Sequence, residues 1–195
     1  MAQRISKVRV IFGWVIANSL GVAVIGAVSL TPFPTSILGL LLVSLVVGLP
    51  ISLAQWIALR RVAPISILWI LTISAGLFLG FVALETPIAN KILGFTDDYS
   101  LLSYTAGYMI IGLLIGLAQW IFLRGHFSKS LVWPLCSAIG LGLGLCLVLA
   151  SALINQSGLV SIIFIVLIYA IATGLAISWM PFSDTKVERN LVNAT

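Results

Sequence analysis

Charge is what this 195-residue chain has least of: 8% of its residues are Asp, Glu, Lys or Arg, against about 25% in soluble domains. Hydrophobic residues make up 61% and the mean hydropathy is +1.23. So little polar surface cannot cover a water-soluble fold of this size, which leaves a polytopic membrane protein. Acids are scarcer still, at five. None of them, and no Lys, Arg or His apart from Arg9 at the first position of the first run, falls inside the apolar runs delimited below. Proton relays and ion-coupled pumps place such groups within the membrane, and a retinal Schiff base needs a lysine there, so the sequence argues against both classes.

Cysteine and histidine are almost missing. Cys136 and Cys146 are the only cysteines and share one apolar run; ten residues of helix advance about 15 Å, too far for a disulfide. They read as small packing residues. His126 is the sole histidine, in a basic loop with no cluster that could complete a metal site. The remaining candidates for catalysis, Glu85, Asp97 and Asp98, fall on the opposite side of the membrane from His126, so no enzyme is expected. The net charge of +5 does not point to nucleic acid, because the loops are too short to form a solvated basic surface.

What is present is a succession of six apolar runs, 9–30, 36–59, 64–84, 101–123, 130–153 and 159–180. Each suits a hydrocarbon core about 30 Å thick. Arg4, Lys7, Arg9, Arg60, Arg61, Arg124, Lys129, Lys186 and Arg189 fall at the ends on one side, and only Lys91 on the other. By the positive-inside rule the first side is cytoplasmic, with both termini inside and the bilayer with its anionic headgroups as first partner. Residues 4–30 resemble a signal peptide, yet Trp14 and Gly21 share a register with later helices, so a retained first helix is expected.

The strongest signal is internal. Residues 48–60 read GLPISLAQWIALR and residues 112–124 read GLLIGLAQWIFLR, with ten of thirteen positions matching. Gln and Trp matches carry the weight, since the chain has only four Gln and six Trp. Trp14, Trp69 and Trp133 are each followed seven residues later by glycine, at Gly21, Gly76 and Gly140. In the sixth run Trp179 is preceded by Ser178 where the glutamine would stand. The expected fold is therefore all-α: a six-helix transmembrane bundle forming one domain over 1–195, in three pseudo-repeated hairpins, 9–61, 64–125 and 130–183, with a polar tail 184–195.

Helical spacing puts Gly48, Ser52 and Gln55 on one face, and likewise Gly112, Gly116 and Gln119. Gly76 with Gly80, and Gly140 with Gly144, form further small-residue stripes, read as helix-packing surfaces. Gln55 and Gln119 each stand five residues before an arginine, Arg60 and Arg124, about 7 Å inside the interface. Two readings stay open for these amides. They bridge helices, or they line a polar binding site open to the cytoplasmic face, to which Asn18, Trp56, Trp120 and the two arginines contribute. The six tryptophans read as an interfacial belt. No ligand-specific motif assigns them a pigment, quinone or other cofactor.

The phrases LAQWIALRR and LAQWIFLRG resemble a group of uncharacterised multi-pass bacterial membrane proteins, chiefly from photosynthetic bacteria, that carry a GxxxGxxQWxxLR phrase more than once. The resemblance is good over Gly112–Arg124, has Ser52 for the second glycine in Gly48–Arg60, and fails in the third hairpin. It implies a bacterial inner membrane, cytoplasmic or thylakoid, and no chemistry. The functional expectation is a non-catalytic accessory or assembly subunit of a larger membrane complex, in contact with other subunits or further copies of itself. The alternative is a small-solute or cofactor binding and transport module.

Overall fold

The computed structural model of the chain describes residues 12–19, 21, 36–61, 63–84, 101–152 and 158–180. Arg4, Lys7, Arg9, Lys91, Lys186, Arg189, Glu85, Asp97 and Asp98 lie outside the described residues, as do most of the first run, the segments 31–35, 85–99 and 155–157, and the polar tail.

Every regular element among the described residues is helical: α1 over 12–19, α2 Ile37–Leu59, α3 Thr72–Leu84, α4 Leu101–Leu123, α5 Val132–Ala152 and α6 Gly158–Trp179. A 3₁₀ turn, Ile67–Leu71, leads directly into α3. Three of these, Ile37–Leu59, Ile67–Leu84 and Leu102–Leu123, are long and apolar enough to cross a membrane.

Local chemistry sets the ends. Ser36 caps α2 by accepting from the Gly39 N–H at 3.1 Å. Past Leu59 the chain turns through Arg60, Arg61 and Pro64, and Pro64 denies the helix a donor. Ser66 then starts the 3₁₀ turn by accepting from Leu68 N–H. Between α4 and α5, Lys129 takes φ 60°, a left-handed conformation that closes the tight basic turn.

Neighbours in the chain are neighbours in space: α2 lies on α3, α3 on α4, α4 on α5 and α5 on α6. α1 bridges the two ends, meeting α2 where Gln55 bonds Asn18 and α6 where Trp14 bonds Thr173. Glycines set the spacing. A Cβ on Gly21 would stand 2.8 Å from Ile51 Cδ1, on Gly76 2.5 Å from Ile115 Cα, and on Gly140 3.1 Å from Tyr169 Cα. Gly80 faces Ile111 and Gly144 faces Ile165 in the same two helix pairs. Gly48 meets Ser74, Gly112 meets Ser137, and Gly116 meets Pro134. Such close approach brings the backbone of one helix into dispersion contact with the next. The outward faces carry leucine, isoleucine and valine: Leu42, Val46 and Leu53 on α2, Leu135, Ile139 and Leu143 on α5.

Candidate functional site

The glutamines lie where α1, α2, α4, α5 and α6 converge. Both are 0% exposed. Gln119 Nε2 donates to Gln55 Oε1 at 2.9 Å, and Gln55 Nε2 donates to Asn18 Oδ1 at 2.8 Å. Asn18 Nδ2 in turn donates to the Trp14 carbonyl at 2.8 Å. From the other side, Trp133 Nε1 donates to Gln119 Oε1 at 2.9 Å. Trp14 Nε1 donates to Thr173 Oγ1 at 2.9 Å, and Thr173 donates onward to the Tyr169 carbonyl at 2.6 Å. The result is one continuous hydrogen-bonded belt, Trp133–Gln119–Gln55–Asn18–Trp14–Thr173, threaded through five helices.

Below the belt, toward the basic end, three indoles close the centre. Trp14 and Trp133 meet edge to face with centroids 5.3 Å apart, and Trp69 meets Trp133 at 6.4 Å. Leu59, Leu123, Phe127, Ile177 and Met180 pack in the same buried cluster. Of the two readings left open for Gln55 and Gln119, the bonds seen here are those that bridge helices, and toward the basic end the amides meet a cluster of indole and aliphatic side chains. The physical reason is the close glycine and serine contacts, which draw the helices together and leave the amides facing one another.

The tryptophans divide into kinds that sequence alone merged into one belt. Trp14, Trp69 and Trp133 are core residues, fully buried. Trp56 and Trp120 are half-buried and fasten the turns that follow them: Trp56 Nε1 donates to the Ile65 carbonyl and Trp120 Nε1 to Ser130 Oγ, each at 3.1 Å. Arg60 lies over the Trp56 ring at 4.8 Å and Arg124 over Trp120 at 5.5 Å, so both arginines sit outside the belt on indole faces. Trp179, at 69% exposed, is the one that suits an interfacial position and carries Lys129 at 5.6 Å.

In α6 the buried position level with the glutamines belongs to Thr173. Ser178 instead donates to its own helix, at Leu175 O. The Ser178–Trp179 pairing read from the sequence thus misses the register of this helix, whose buried face runs Val166, Tyr169, Ala170, Thr173 and Ile177. Trp69 Nε1, Ser74 Oγ, Ser137 Oγ and Tyr169 Oη are buried without a hydrogen bond. The Ser137 hydroxyl approaches that of Tyr169 but not with the geometry of a bond.

On the side of the belt away from the basic end lies a cavity of about 80 Å3. All six helices reach it, with Asn18 from the belt and Tyr169 among aliphatic side chains. Among the described residues no group of His, Cys, Asp and Glu could hold a metal ion, and Cys136 and Cys146 are free thiols. No protein-family model, curated protein or solved structure matches the chain.

Proposed function

We propose that this chain is a six-helix, multi-pass protein of a bacterial inner membrane, cytoplasmic or thylakoid, and that it acts without catalysis as an accessory or assembly subunit of a larger membrane complex. Its basic end, with Arg60, Arg61, Arg124 and Lys129, faces the cytoplasm, as do both termini. Its partners are the bilayer and other membrane polypeptides, or further copies of itself.

One observation carries this reading: the repeated amides bond to each other inside a buried belt, where Gln55 also donates to Asn18 and Gln119 accepts from the Trp133 indole. Amides used this way hold helices in register. What the molecule then offers to its surroundings is its outer surface. The organisation into three hairpins is supported by Gly21 on Ile51, Gly76 on Ile115 and Gly140 on Tyr169, the same contact inside each hairpin. It is supported again by the glutamine and threonine acceptors, since Trp133 and Trp14 each donate to the even-numbered helix beside them. The alternative, a small-solute or cofactor binding and transport module with a polar site near the cytoplasmic face, has less support, because both glutamine side chains are buried and engaged.

Native mass spectrometry after gentle extraction from the source membrane, at native expression, tests the proposal. Discrete added masses of whole polypeptides are expected. A bare monomer in native lipid would overturn the accessory-subunit reading.

A further inference from the structure

Beyond the accessory role, we infer that the cavity above the amide belt is a binding site for a small hydrocarbon group, such as one aromatic ring or the branched end of an alkyl chain. It is independent of whether the chain has protein partners.

Three observations lead there. The first is the lining: Val47, Ile51, Ile73, Ile115, Leu141 and Val166 converge from five helices of the bundle. The second is that, among the described residues of the wall, the polar atoms are unavailable. The Asn18 amide is bonded on both sides within the belt, and the Tyr169 hydroxyl is buried away from the space. A cavity of this kind stays dry, because a water needs two to four polar partners. Its natural occupant is hydrocarbon, and the volume of about 80 Å3, roughly half that of the engineered cavity of about 150 Å3 that takes benzene, limits it to a chain end or to one ring that reaches past the cavity's open side. The third is position. The belt and the indole plug close the side toward the basic end, so an occupant enters from the membrane or from the far end. Ile51, Ile115 and Tyr169, which face the glycines of the three helix pairs, all border this space. The close glycine contacts thus hold the cavity walls at fixed spacing.

The test is methyl NMR of the full chain, labelled at isoleucine δ1 and reconstituted in deuterated micelles, titrated with benzene. Saturable shifts and direct benzene contacts are expected at Ile51, Ile73 and Ile115, which are buried from the surroundings. Ile57 and Ile121, at 43% and 55% exposed, should drift without saturating. Phenol, of the same shape but with a hydroxyl the site cannot pair, should bind several-fold more weakly at equal micellar concentration. Val166→Phe, or Leu141→Phe should the first not fold, should weaken benzene binding several-fold by filling the space. Repeating the titration in a fluorinated surfactant separates the sources. Tighter benzene binding there means that detergent chain ends occupy the cavity; equal binding means that it takes free small molecules; either supports the hydrocarbon site. Non-saturating drift at Ile51, Ile73 and Ile115 would overturn the site. Phenol matching benzene would overturn the hydrocarbon assignment.

Discussion

Replacing Gln119 with leucine, which has nearly the same volume, isolates the contribution of the belt. In the wild type Gln119 accepts from Trp133 Nε1 and donates to Gln55 Oε1, both at 2.9 Å. The substitution leaves an indole N–H and an amide oxygen without those partners in a site of 0% exposure. Hydrogen bonds between membrane helices contribute about 0.6–2 kcal/mol each, so Gln119→Leu should cost about 1–4 kcal/mol. Gln55→Leu should cost a similar amount, since it also breaks two bonds, to Gln119 and to Asn18. The double variant should cost less than the sum, because the Gln55–Gln119 bond is lost only once; the shortfall should be about one such bond, roughly 0.6–2 kcal/mol. Reversible unfolding in mixed micelles with increasing sodium dodecyl sulfate, followed by far-UV circular dichroism, gives the three values. Single variants within about 0.5 kcal/mol of wild type, or strict additivity, would refute the belt as a joint.

Two further substitution pairs test register and packing by the same assay. Thr173→Val removes the acceptor of Trp14 Nε1 and should cost about 1–3 kcal/mol, whereas Ser178→Ala should stay within about 0.5 kcal/mol; the reverse order would restore Ser178 to the glutamine position. Gly76→Ala should cost about 1–3 kcal/mol, because the new Cβ would meet Ile115 Cα at 2.5 Å, backbone that cannot swing away. Gly125→Ala, with nothing within 4 Å, should be silent, and equal effects at the two positions would contradict the packing described. Ser130→Ala removes the Trp120 indole's acceptor and should cost about 0.5–1.5 kcal/mol.

Helix limits were legible in the sequence because apolar runs end at charge and proline: 36–59 became Ile37–Leu59, and 101–123 became Leu101–Leu123. The run from 64 departs from this, opening as a 3₁₀ turn after Pro64 and becoming α-helical at Thr72. Gln55, Gln119 and Asn18 were legible as a group because amides are rare and costly in hydrocarbon. Their depth was not. In a membrane helix the lipid face is as apolar as the core, so no periodicity separates a buried Trp69 from an exposed Trp179. Thr173 was passed over for a related reason: threonine satisfies itself on its own helix and gives no signal when it also accepts from an indole. The tryptophan that marked the register in α2 and α4 pointed to Ser178 in α6, five residues away from the position that the helix buries. The cavity was not legible at all, since most of its lining is leucine, isoleucine and valine, among the commonest residues in the chain.

The belt itself has a direct reporter. With only four glutamines in the chain, selective ¹⁵N labelling of glutamine gives few enough side-chain amide signals to assign by substitution. After transfer into deuterated buffer, the Gln55 and Gln119 side-chain amides should stay protonated long after exposed amides have exchanged, and the Gln119 pair should shift when Trp133 is replaced by phenylalanine. Rapid exchange at Gln55 and Gln119, with no response to Trp133→Phe, would mean that these amides face water, and the closed belt would be wrong.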